Sequence, residues 1–437
     1  MANNNQIVKG DEKVIKAWIF YDWANSVFPL VITTAIFPIF YSFVTKDHFG
    51  SDKLTFLGME FINTELVSYV NASGFLIISF MSPLLSGIAD YLGNKKRFLQ
   101  FFCFLGGLSS IGLATFNPAN LELGFLFFLL AMIGYWSSIV FYNAYLPEIA
   151  EKEDHDRISA RGFSSGYIGA SILLILCLVG IKGFGMPANY AFALTGVWWI
   201  GFSFITYRRL PNSTKPDLVP EGYFWTGFRE LKLVWGEMRQ TKRLKRFLIS
   251  FFFFSMGVQT VMLMAPYFGE KKIDWPTPEE GSTGLIISIL LIQFIAIGGA
   301  FLCSWGAKKI GNLKVLLIVL LIWCGICVSG LWVHTPLGFY IVAATVGLVM
   351  GGVQSLSRST YSKFLPETKD TASYFSFFDV AEKIGICIGI FAYGFIEGVT
   401  GDMRMSMLAL ISFFVVGAVI LVFVPKKEVE FEHTTNK

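Results

Sequence analysis

The sequence predicts an all-α membrane protein of twelve transmembrane helices, arranged as two matched halves of six. Three observations lead there: an apolar composition, twelve separate apolar runs of spanning length, and short landmarks that recur half a chain apart.

Of 437 residues, 54% are hydrophobic and only 15% charged, and 45 are Phe. Mean hydropathy is +0.59. A soluble core of this size cannot hide so much apolar surface, so lipid is the expected solvent. A span needs roughly 20 mostly apolar residues. Runs of that kind, bounded by charge, Pro or Gly, fall at 17–44, 66–91, 97–116, 121–149, 158–181 and 188–208. Six more follow at 246–269, 283–306, 313–334, 337–364, 371–398 and 403–424. Residues 1–16 are polar and mixed in charge, unlike a signal peptide, so a cytosolic N-terminus is expected.

Twelve spans with that start place the even-to-odd connections and both termini in the cytosol. Of the 35 Lys and Arg, 28 fall on those inner segments, six on outer loops, and Lys383 lies within a span. Such a bias is the signature by which basic residues set orientation. All six cysteines lie inside apolar runs and are expected to act as small hydrophobes, with no disulfide framework. Cys324 and Cys327 form a C-x-x-C with no second pair or histidine nearby, so no metal or other cofactor is expected.

The repeat is carried by two landmarks. Ala89-Asp-Tyr-Leu-Gly-Asn94 after the second span faces Ala307-Lys-Lys-Ile-Gly-Asn312 after the eighth, an offset of 218. Leu146-Pro-Glu148 after the fourth span faces Leu365-Pro-Glu367 after the tenth, an offset of 219. The chain therefore divides into 1–208, a six-helix half; 209–245, a linker; and 246–437, the second half. Two such halves rocking about a shared central site would give alternating access. The linker opens with Pro211, Pro216 and Pro220, then places Phe224, Phe228, Leu231, Trp235 and Met238 at helical spacing beside Lys232, Arg239, Lys242 and Arg243. An amphipathic helix lying on an anionic membrane surface is expected there, with a calmodulin-type target helix as the other reading.

Ser86-Gly-Ile-Ala-Asp-Tyr-Leu-Gly-Asn-Lys-Lys-Arg97 resembles the loop signature of the major facilitator superfamily, G-x-x-x-D-x-x-G-[RK]-[RK]. Asp90, Gly93 and Lys95 match, whereas Ser86 and Asn94 replace the first glycine and the first basic residue. An acid at a helix end beside a basic turn can latch neighbouring helices, so Asp90 is a candidate gating residue. Within that superfamily, Tyr21-Asp-Trp-Ala-Asn25 is similar to the signature of the fungal vacuolar amino-acid effluxer family and its bacterial relatives. Arg157-Ile-Ser-Ala-Arg-Gly-Phe-Ser-Ser-Gly-Tyr-Ile-Gly169 and Gly351-Gly-Val-Gln-Ser-Leu-Ser-Arg-Ser359 resemble the same family. The resemblance implies the major facilitator fold, transport without chemical change, and an amino acid as the leading candidate solute.

Ionisable residues within spans cost roughly 2.5 to 3.5 kcal/mol at a helix centre, so each is a functional candidate. Asp22, beside Asn25, is placed to bind a substrate ammonium or carry a proton, or else to pair with a neighbouring base. Asp379, Glu382 and Lys383 share one helix face. With Arg358 they are expected to form a four-member gating or coupling network across the tenth and eleventh spans. The superfamily resemblance implies that spans one, four, seven and ten line the cavity, which singles out Tyr142, Asn143, Gln259 and Gln354 as solute contacts. Few fixed charges among aromatic walls suit a zwitterionic or neutral solute.

Gly162-Phe-Ser-Ser-Gly166 formally matches G-x-S-x-G. It begins a membrane helix with no strand before it, so it is read as close helix packing through Gly162, Gly166 and Gly169. No phosphate-binding loop is present, and the four histidines lie at predicted loops, ends or tails, which argues against an ATPase or a membrane enzyme. The expectation is a secondary active transporter in a bacterial inner membrane: monomeric, in contact with lipid and a small solute, with protons the favoured coupling ion and no nucleic-acid partner. Symport, antiport and uniport stay open, and a non-transporting receptor or scaffold with the same fold is the alternative.

Overall fold

Asp11 accepts the backbone N–H of Lys13 at 2.8 Å and so caps the first helix. In the computed structural model, which describes residues 9–51, 53–211 and 223–426, α1 runs Glu12–Phe49. It starts five residues before the apolar run at 17, because a cap and not apolarity sets where a helix begins. Its middle, Phe28–Ile36, is wound as a π-helix with Pro29 in its first turn and Pro38 just beyond its end. There Thr34 Oγ1 donates to the carbonyl of Pro29, five residues back, at 2.8 Å.

A short antiparallel hairpin, β1 (Lys53–Phe56) and β2 (Met59–Ile62), follows at the end opposite the even-to-odd connections, an addition to the all-helical expectation. The first half continues with α2 (Asn63–Leu92), α3 (Lys95–Leu113), α4 (Leu121–Ile149), α5 (His155–Phe184) and α6 (Tyr190–Arg209). The linker helix is α7 (Tyr223–Gln240). The second half is α8 (Lys242–Lys272), α9 (Pro278–Ile310), α10 (Asn312–Ser329), α11 (Pro336–Phe364), α12 (Thr371–Thr400) and α13 (Met403–Val422).

Apart from α7, these are the twelve anticipated spans. Ten are long and apolar enough to cross a membrane by length and composition alone. The other two are α3, short and opening on Lys95, Lys96 and Arg97, and α12, interrupted by Asp379, Glu382 and Lys383. Phe80, Phe184 and Phe391 are among the large apolar side chains left exposed, as a lipid-facing belt requires. Trp18, Trp199 and Trp323 are fully buried inside.

The halves meet in two exchanges, α2 against α12 and α5 against α9, which map onto each other when the halves are swapped. The repeat also shows in its turns. Gly93 and Gly311 end α2 and α9 at φ of 64° and 89°, backbone that a side chain disfavours, and each is followed by the landmark Asn that begins the next helix. The face formed by the even-to-odd connections carries most of the cations, and we call it the basic face.

The linker helix departs from expectation. Val234 and Met238 are buried, and Trp235 lies tilted against Phe377 of α12 with ring centres 5.2 Å apart. The Tyr374 hydroxyl donates to Glu237 at 3.0 Å. Thus α7 packs on α2 and α12 instead of resting its apolar stripe on lipid. Lys232 and Arg239 stay exposed. Pro216, Pro220 and the side chains of Phe224 and Phe228 lie outside the described residues.

Candidate functional site

The three segments that carry the family resemblance come from α1, α5 and α11, and they converge on one point. Arg358 of α11 donates through both terminal nitrogens to Asp22 Oδ2 of α1, each at 3.1 Å. The Tyr142 hydroxyl of α4 donates to the same oxygen at 2.8 Å. Arg358 further donates to the Ser159 hydroxyl at 2.9 Å, the Ser159 carbonyl at 3.0 Å and Asn143 Oδ1 at 3.4 Å. Trp18, Tyr142 and Phe163 surround the guanidinium, with ring centres 4.9, 5.5 and 4.1 Å from its carbon. Asp22 and Arg358 are 4% and 3% exposed, so the pair is dry and joins the two halves.

The packing of α5 makes this approach possible. A Cβ on Gly162 would meet the Asp22 carboxylate and lie 2.8 Å from Arg358. One on Gly166 would meet Ser26, and one on Gly169 would lie 2.7 Å from the Trp23 carbonyl. The formal G-x-S-x-G is thus a helix-packing surface for the Tyr21–Asn25 segment. Asn25 is buried beside Ser26, whose hydroxyl donates to it at 3.4 Å, while its own Nδ2 has no partner.

The expected four-member network is corrected. Arg358 turns to Asp22, Asn143 and Ser159 of the first half, and Asp379, Glu382 and Lys383 of α12 form a separate cluster. Lys383 Nζ pairs with Asp379 at 2.9 Å and with Glu382 at 2.7 Å. Gln259 of α8 donates to Glu382 at 2.7 Å, and Lys383 Nζ sits 3.5 Å from the ring centre of Trp136 in α4. Two carboxylates share one ammonium here. Glu382 is the most exposed of the three, at 19% for its side chain against 5% and 0% for Asp379 and Lys383. Gln354 of α11 accepts the Tyr167 hydroxyl of α5 at 2.7 Å.

Nearer the basic face, two clamps cross between the halves. In one, Asp90 accepts the backbone N–H groups of Ala372 and Ser373 at 3.3 and 2.7 Å, so the acid ending α2 caps the start of α12. Lys95 binds Asp90 at 3.1 Å, Thr371 at 2.7 Å, the Lys369 carbonyl at 2.9 Å and Glu148. In the other clamp, Asp156 of α5 accepts from Asn312 at 2.6 Å, from Ser359 at 2.7 Å and from Lys363. Sequence reasoning picked Asp90 and matched Lys95 to the same loop signature, but assigned no site role to Glu148, Asp156 or Ser159. A signal was present, since the repeat landmarks Glu148 and Asn312 both sit in these clamps.

The Asp22–Arg358 pair and the two clamps tie the halves together toward the basic face through charges and hydrogen bonds. Among the described residues no group of three or more His, Cys, Asp or Glu could hold a metal. All six cysteines are free.

Known proteins agree with the fold. The family described as "Vacuole effluxer Atg22 like" matches residues 10–432. An uncharacterized MFS-type transporter of Bacillus subtilis, YxiO, is 29% identical over 96% of this chain and 97% of its own length. Autophagy-related protein 22-1 of Penicillium rubens is 22% identical over 95% and 88%. Among solved structures, the E. coli fucose:proton symporter superposes with a TM-score of 0.66 over 95% of this chain and 98% of that one, at 14% identity. Matched from end to end by this family and folded as its superfamily folds, the chain belongs to the Atg22-like vacuole effluxer family and is a multi-pass membrane transporter of the major facilitator superfamily.

Proposed function

We propose that the chain moves a small zwitterion, with amino acids the leading class, across a bacterial inner membrane by alternating access. The observation that carries the reading is the dry Asp22–Arg358 pair between the halves. When the basic face opens, the pair must part, and each charge then needs a new partner in a poorly solvated cleft. A zwitterion supplies both at once, its carboxylate to Arg358 and its ammonium to Asp22, so a bound solute lowers the barrier to the motion that carries it. Gln259, Gln354 and Asn143 supply neutral hydrogen-bonding groups around the path, and the aromatic rings beside the pair suit a solute with an apolar side chain. The family description, a vacuole effluxer, supports transport of a small solute out of a compartment.

Glu382 is the group we assign to proton linkage. It is the surplus carboxylate in a cluster of two acids and one ammonium, and it is partly open to solvent. Both termini lie in the cytosol in this reading, supported by the 28 of 35 Lys and Arg that fall on the inner segments of the sequence.

Counterflow tests the reading. Proteoliposomes preloaded with a mixture of unlabelled amino acids should accumulate a labelled one transiently. Absence of counterflow for every amino acid, with thermal stabilisation of the purified protein by a different solute class, overturns the substrate assignment. Absence of both favours a receptor or scaffold.

A further inference from the structure

The side of α1 that faces away from Asp22 forms a second feature. Lys13, Lys16 and Arg209 stand around an open groove of about 330 Å3 at the basic end of the α1–α6 seam, floored by Ala17, Phe20 and Ile205. All three cations are exposed, and among the described residues none has an acidic partner. The nearest acids on the chain are engaged elsewhere. Glu12 reaches Arg157 and Arg161 at 3.9 Å, and Asp11 caps its own helix.

Away from the cations, the same seam becomes a ladder of rings. Phe20 lies 5.8 Å from Phe202, Trp23 6.2 Å from Phe202 and 5.8 Å from Trp198. Ile205 and Phe204 are nearly half exposed beside it. A ligand that fits must carry negative charge at one end and a long apolar body at the other, and must reach the groove from within the bilayer plane.

We propose that this groove seats one anionic phospholipid, its phosphate among Lys13, Lys16 and Arg209 and an acyl chain along the ring ladder. A basic pocket between spans at the headgroup level is the kind of place where such lipids bind. The site is separate from the exposed cations Lys232 and Arg239 of α7, neither of which lines the groove. Its position gives it a role. Thr206 of α6 donates to the Ala17 carbonyl at 2.7 Å, and Trp198 to the Trp23 carbonyl at 3.4 Å, so the seam fixes the helix that carries Asp22. A lipid bound there braces α1 against α6 while the Asp22–Arg358 gate opens and closes.

The test uses the purified full chain, with phosphatidylglycerol or phosphatidylcholine added in detergent, read by thermal unfolding and by native mass spectrometry. The wild type should retain phosphatidylglycerol and be stabilised by it more than by phosphatidylcholine. Each neutralised cation in the Lys13→Gln, Lys16→Gln, Arg209→Gln series should lower that preference about five-fold. Ile205→Trp, which fills the groove and keeps every charge, should abolish retention, whereas Lys232→Gln with Arg239→Gln should leave it intact. No preference in the wild type, an unchanged preference in the triple variant or in Ile205→Trp, or an equal loss in the linker variant, each overturns the proposal.

Discussion

Asp22 and Arg358 are separated by 336 positions in the chain, yet their charged atoms lie 3.1 Å apart in the interior. Removing either partner leaves the other as a buried, incompletely compensated charge, a loss of roughly 3–5 kcal/mol. The loss falls on the state in which the basic face is closed, because the pair spans the halves. Asp22→Asn should therefore raise hydrogen exchange at the basic ends of α5, α11 and α12 and abolish counterflow. Exchange equal to wild type in those peptides would mean that the pair does not hold the gate.

Gly162 tests how tightly that pair is enclosed. In an open helix position, Gly→Ala should be favourable by up to about 1 kcal/mol. Here the added methyl meets the ion pair, and overpacking costs about 1–3 kcal/mol. Gly162→Ala should lower the unfolding temperature and impair transport. Gly201→Ala on α6, where nothing lies within 4 Å, should be neutral or stabilising. Equal effects from the two substitutions would count against the crowding argument.

The clamps at Asp90 and Asp156 share no side chain in the contacts described above. Asp90→Asn weakens the capping of α12, and Asp156→Asn weakens the tie from α5 to Asn312, Ser359 and Lys363. Each should raise hydrogen exchange at the basic face, and their free-energy effects should add within roughly 0.5 kcal/mol in the double variant. A double variant no more open than either single one would show that one clamp is idle.

Proton linkage makes a separable claim. Uptake into proteoliposomes by the wild type should change with an imposed pH gradient. Glu382→Gln should remove that dependence while counterflow, which needs no gradient, continues, and Asp22→Asn should remove it by abolishing transport itself. Unchanged pH-dependent uptake in both variants would rule out proton linkage through these carboxylates.

Much of the architecture was legible before any coordinates. Span number, the division into halves and the face that gathers the cations follow from apolar run length and from where Lys and Arg sit. Lipid makes those signals strong, because each buried charge or unpaired backbone group is costly there. Helix starts such as that of α1, the π-wound stretch and the hairpin were less visible, since they depend on a cap, on two prolines and on a turn.

The site divided differently. The sequence by itself marked Asp22, Asp90, Arg358, Asp379, Glu382 and Lys383 as residues that had to find partners, because an unpaired charge inside a membrane is expensive. It could not say which partners. Spacing along one helix correctly joined Asp379 and Glu382 to Lys383, a local relation fixed by helical geometry. Arg358, on the preceding span, was joined to them because it sits at a similar depth, yet it turns to the other half. Only the tertiary structure decided that, because the direction a side chain faces depends on how two separately folded bundles dock, and docking is set by glycine contacts and clamps scattered over more than three hundred residues.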